Sequence, residues 1–201
     1  MVSHTTTTAA TPVTLARPLI WAWPLAVLVG FPIGGLIANL VVGPIDSVAA
    51  ALVGGLLAGT VIGAAQWLAL RPVVPWLWVA ATSVGMAVGL TLGAALVDYE
   101  TSRVDLVLMG AVTGVGVGVL QALVLARQHI SGAAWWAAAS PPVWALAWLV
   151  ASYVLASNVD EQFTNFGASG ALLYAVLTGL LLASLFRRSS PGARGSSLPK
   201  G

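Results

Sequence analysis

Hydrophobic residues run through the chain in long unbroken stretches separated by short polar loops, without the alternation of polar and apolar positions that marks a strand. A hydrocarbon core ~30 Å thick takes roughly 20 helical residues to cross. Six stretches reach that length: Pro18 to Val42, Ser47 to Leu70, Trp76 to Val97, Leu106 to Ala126, Ala134 to Ala156, and Gly167 to Phe186. Continuous runs satisfy their backbone within one segment and read as helices, whereas barrel strands would alternate. The expected fold class is therefore all-α, a polytopic membrane protein with six transmembrane helices in residues 18–186. The polar, low-complexity ends, 1–17 and 187–201, are expected to be disordered cytoplasmic tails, the second of them basic. The first run is too long for a signal peptide, follows a single arginine and lacks a small-residue cleavage site, so it is read as a span.

Composition agrees with this pattern. Of 201 residues 59% are hydrophobic and 7% charged, and the mean hydropathy is +0.96. A formal charge of +2 without a basic patch leaves no electrostatic footprint for nucleic acid. The chain has no cysteine, so disulfides, thiolate metal sites and thiol catalysis are excluded.

The loop charges alternate in sign. Arg17, Arg71, Arg127, Arg187, Arg188, Arg194 and Lys200 fall on one side, and Asp46, Asp98, Glu100, Asp105, Asp160 and Glu161 on the other, joined there by Arg103. Basic residues in short loops stay cytoplasmic, which puts both termini inside a plasma (inner) membrane of bacterial style.

A repeat runs beneath the hydrophobic pattern. The spacing Gly-x3-Gly-x3-Gly-x2-Gln occurs at Gly55, Gly59, Gly63 and Gln66, and again 55 residues later at Gly110, Gly114, Gly118 and Gln121. At the same offset Trp21, Trp23, Gly30 and Gly34 map onto Trp76, Trp78, Gly85 and Gly89. The last two spans fit more loosely: Trp135 and Trp136 open the fifth, and Ala171, Ala175, Gly179 and Ala183 space the sixth, with Leu182 where an amide would stand. Three tandem helical hairpins are expected, the third diverged. Copies with an even number of spans are related by an axis along the membrane normal, in a pseudo-threefold bundle or a linear array. Steps of four and three residues keep the glycines on one helix face, where small residues permit the close packing that membrane helices need. Gln66 and Gln121 continue that face and are expected in a helix interface, as glue or as amides gripping a ligand.

Nine tryptophans are present. Trp21, Trp23, Trp67, Trp76, Trp78, Trp135 and Trp136 lie near the cytoplasmic boundary, as an interfacial aromatic belt would. Trp144 and Trp148 stand mid-span, one turn apart, after Ser140-Pro141-Pro142, where two missing amide donors should kink or break the helix. Ser140, Trp144 and Trp148, with Gln66 and Gln121, form the candidate ligand-binding set. No Asp, Glu, Lys, Arg or His occupies the centre of a span, which disfavours a proton relay or a charged substrate. His4 and His129 have no partner cluster, so neither a catalytic residue nor a metal site is indicated, and nothing points to a cofactor.

The stretches "GAAQWLALRPVVPWLWVAATSVGMAVGL" and "GVGVGVLQALVLARQHISGAAWWAAAS" resemble the Gly-x3-Gly-x2-Gln-Trp-Leu-x-Leu-Arg repeats of uncharacterised six-span bacterial membrane proteins, with Ala122 replacing the tryptophan in the second copy. The resemblance supports the repeat and implies no activity. The expected function is a non-enzymatic scaffold or accessory protein of the plasma membrane, whose partners are the lipid bilayer and a membrane protein or second copy. The alternative is a channel or uncoupled carrier for a small neutral or lipidic solute.

Overall fold

The computed structural model describes residues 18–154 and 162–189, with side chains placed for 21–153 and 170–186. The expected tail 1–17, residues 190–201 of the second tail, and Asp160 and Glu161 lie outside the described residues, whereas 187–189, expected in the disordered tail, continue the last helix. Six helices follow in order: α1 Pro18–Val42, α2 Val48–Leu70, α3 Leu77–Leu96, α4 Arg103–Arg127, α5 Ala133–Val154 and α6 Gln162–Ser189. Four of them are long and apolar enough to cross a membrane over Trp21–Val42, Val48–Leu70, Leu77–Leu96 and Arg103–Arg127. The chain is thus an all-α protein consistent with a polytopic membrane protein. In α6 the residues with placed side chains form a shorter apolar stretch, Gly170–Phe186.

Helix starts follow local capping chemistry. α4 begins three residues earlier than the hydrophobic run because Ser102 and Asp105 form a capping box: each accepts a backbone N–H from the other's residue. Asp105, expected in a loop, therefore stands in the first turn, where the helix dipole favours a carboxylate. Ser47 caps α2 by accepting from the Ala50 N–H. α6 begins at Gln162, five residues before the expected Gly167.

Pro141 and Pro142 do not break α5, which runs through both. Membrane helices tolerate proline when neighbouring groups serve the disturbed turn. Here Ser140 Oγ donates to the Trp136 carbonyl at 2.8 Å, and α4 lies close alongside.

Each helix packs against its sequence neighbours, and α6 returns to α1, so the six close into a ring. Large apolar side chains such as Leu40, Leu92, Leu96 and Leu180 face outward. That surface suits hydrocarbon and would be unusual in water.

Glycines set how closely the ring closes. A Cβ on Gly59 would meet the Ser83 Cα at 2.7 Å, and one on Gly55 the Ala87 Cα at 2.7 Å. Gly63 faces Thr82 and Val79 of α3 in the same way. On α4, Gly110, Gly114 and Gly118 lie against Trp148, Pro141 and Ser140 of α5. Gly85 and Gly89 admit the Val117 and Thr113 backbone, at 2.7 and 2.6 Å from their would-be Cβ atoms. Helices in lipid associate through this close contact, since lipid supplies no hydrophobic drive between them.

Candidate functional site

α1, α3 and α5 each start at the end of the ring that carries Arg71 and Arg127, and each bears a tryptophan close to that start. Trp23, Trp78 and Trp136 point inward and are 2%, 0% and 0% exposed. Trp23 meets Trp78 and Trp136 edge to face at ring centroid distances of 6.4 and 6.1 Å, and Trp78 and Trp136 meet in a tilted pair at 5.9 Å. This corrects the expected belt: Trp21, Trp76 and Trp135 are exposed as a belt requires, whereas these three fill the interior. The reason is helical phase. Residues one or two apart project to different helix faces, so a tryptophan cluster in sequence divides between lipid and core. Trp67 is half-buried against the core.

Each inward indole has a hydrogen-bond partner on the helix beside it. Trp78 Nε1 donates to Gln66 Oε1 at 3.1 Å, Trp136 Nε1 to Gln121 Oε1 at 2.9 Å, and Trp23 Nε1 to Thr178 Oγ1 at 3.0 Å. Thr178, one turn before Leu182, therefore holds the α6 position that bonds a tryptophan; Leu182 is buried among apolar groups. Gln121 Nε2 also donates to Gln66 Oε1 at 3.2 Å and to Thr82 Oγ1 at 2.8 Å. Thr82 in turn donates to the Trp78 carbonyl. Buried polar groups in hydrocarbon must pair internally, and one continuous network does this across four helices.

No family model, no curated protein and no solved structure matches the chain. The site must be read from its own geometry. Gln121 has both ends of its amide engaged, and Gln66 is engaged only through its oxygen. Ser140 is buried, with its hydroxyl bonded to the α5 backbone beside Gly118. Trp148 is half-buried over Gly110, away from the tryptophan triangle, and packs also toward Ala51, Leu90 and Met109 at the acidic end.

Trp144 is the member of the expected set that faces the ring's centre. It is 2% exposed and packs with Phe31 and Tyr174 at ring centroid distances of 5.5 and 5.3 Å. Phe31 and Tyr174 complete the group at 5.0 Å. Among the described residues, no group of three or more His, Asp or Glu side chains stands together as a metal site would require.

Sequence reasoning missed Trp23, Trp78, Trp136, Thr82, Thr178, Phe31 and Tyr174 as interior groups. A signal was present for the first helices. Trp78, Thr82, Gly85 and Gly89 lie on one helical stripe, as do Trp23, Val27, Gly30 and Gly34. A tryptophan in phase with packing glycines belongs to the core.

Proposed function

We propose that the chain is a six-span plasma-membrane protein built from three copies of a helical hairpin around an approximate threefold axis. Both termini are cytoplasmic, and the protein works as a non-enzymatic scaffold or accessory subunit. Equivalent closest approaches support the hairpin reading: Gly34 meets Ala58, Gly89 meets Thr113, and Gly170 meets Ala147. Between hairpins, Gly59 lies on Ser83 and Gly114 on Pro141. The tryptophan bonds to Gln66, Gln121 and Thr178 follow the same order. This register aligns Ala171 and Ala175 with Gly114 and Gly118, one turn from the alignment that spacing alone suggests. Membership of all six helices in one ring is the support for counting α5 and α6 as spans.

The observation that carries the accessory reading is the tryptophan triangle. Three indoles in mutual contact, each anchored by a hydrogen bond, meet inside the ring at the basic end, which supports a plugged interior over an aqueous path. The apolar outer wall is the surface this reading assigns to a membrane-protein partner. Native mass spectrometry after gentle extraction from the source membranes tests this. A stoichiometric membrane-protein partner, or a second copy, is expected. A lone chain that conducts a neutral solute in proteoliposomes would replace this reading with the carrier alternative.

A further inference from the structure

Among the described residues five buried side-chain donors have no hydrogen-bond partner, Gln66 Nε2, Trp67 Nε1, Thr91 Oγ1, Thr113 Oγ1 and Trp144 Nε1, and the first and last of these share a neighbour in Tyr174. Gln66 and Trp144 are 1% and 2% exposed, so bulk water does not serve them. Both side chains interact with the Tyr174 hydroxyl, yet neither donor reaches it with the distance and angle of a hydrogen bond. Two N–H groups thus converge on one region beside the Phe31, Trp144 and Tyr174 rings. Among the described residues, no charged side chain belongs to the core around them.

The hairpin register explains why donors collect there. Phe31, Met86 and Trp144 occupy one equivalent position, and Ile62, Val117 and Tyr174 another. The first two hairpins fill both positions with side chains that carry no polar hydrogen, and the third fills both with ones that do. The third hairpin also has Thr178 in place of the glutamine that would receive the Gln66 amide by analogy with the Gln121 to Gln66 bond. One copy has therefore given up an amide and gained an indole N–H and a phenol in the adjoining layer. Two buried donors left unpaired would oppose folding by ~1–3 kcal/mol each.

We infer that Gln66 Nε2, Trp144 Nε1 and Tyr174 form a binding site for one hydrogen-bond-accepting oxygen of a neutral molecule. The oxygen belongs to a carbonyl-bearing apolar guest or to an ordered water. An anion is disfavoured because no cation faces the site to offset its burial. A water would find the two to four polar partners it needs. The donors are seen directly, so the inference stands apart from the accessory reading.

The test is indole ¹⁵N–¹H spectroscopy of the full chain in lipid nanodiscs, with the Trp144 signal assigned by its loss in Trp144→Phe. The expected result is a hydrogen-bonded Trp144 N–H shift that persists in Tyr174→Phe. Cross-relaxation of that proton with water identifies water as the source. A saturable shift with 2-decanone but not decane identifies a carbonyl guest. The inference is overturned if the shift collapses in Tyr174→Phe, because the phenol oxygen is then the acceptor. It is also overturned if the wild-type N–H sits at the free position and responds to neither water nor 2-decanone, a result that needs no variant beyond the one used for assignment.

Discussion

Replacing Gln121 by leucine tests the network at its most connected point. The substitution keeps the side-chain size and removes three hydrogen bonds: to Gln66, to Thr82 and from Trp136. Bonds across membrane helices average ~0.6 kcal/mol, which gives roughly 2 kcal/mol for the set. The losses are unequal, however. Gln66 Oε1 keeps its bond from Trp78, and Thr82 keeps its own bond to the Trp78 carbonyl, so neither is orphaned. Trp136 Nε1 loses its acceptor while fully buried, which adds about 1 kcal/mol or more. The expected total is about 3 kcal/mol, on the order of 100-fold in the unfolding equilibrium. Steric trapping in bicelles measures it directly. Trp136→Phe removes the orphaned donor, so Gln121→Leu combined with Trp136→Phe should destabilise less than the two single changes summed, by ~1 kcal/mol. A single-variant effect under ~0.5 kcal/mol, or strict additivity in the cycle, would refute the network as a source of stability.

Three further outcomes are expected. Gly59→Ala and Gly89→Ala should each destabilise by ~1–3 kcal/mol, because even one methyl meets backbone at 2.7 and 2.6 Å, whereas Gly179→Ala, with its nearest neighbour at 3.4 Å, should be neutral or better; thermal unfolding in detergent compares them. Headgroup-level quenchers in the bilayer should dim the emission from Trp21, Trp76 and Trp135, so Trp76→Phe should lower the quenched intensity and Trp78→Phe should leave that intensity unchanged, a pattern that fails if Trp78 faces lipid. The absence of native cysteine allows a clean topology test: Arg71→Cys and Arg127→Cys should react from the cytoplasmic side and Asp98→Cys from the other, and labelling of all three from one side would reject the orientation.

The six helices were legible because hydrocarbon imposes a length and forbids unpaired backbone, so a long apolar run reads as a helix. The Gln66 and Gln121 environments were legible for a similar reason: an amide on a glycine stripe can only face another helix. Trp23, Trp78 and Trp136 were misread because an interfacial and a buried tryptophan share hydropathy and depth, and only helical phase separates them. Phase was available in α1 and α3 through Gly30 and Gly85, but α5 carries Val143 at the corresponding place. Thr178 was hidden more deeply. Threonine is a poor stand-in for glutamine by composition, and its role depends on Trp23, 155 residues away. The start of α4 was readable from Ser102 and Asp105, and the hydrophobic run obscured it.

Closing the ring through α1 and α6 also has a consequence for biosynthesis. Trp23 is among the first span residues to leave the ribosome, and its partner Thr178 follows 155 residues later. At ~5–20 residues per second that interval is roughly 8–30 s. During it α1 stands in the bilayer with its indole donor unserved and the seam between first and last helices open to lipid. Until the last helix arrives the chain can be at most a five-helix arc, and only α6 can close it into a ring.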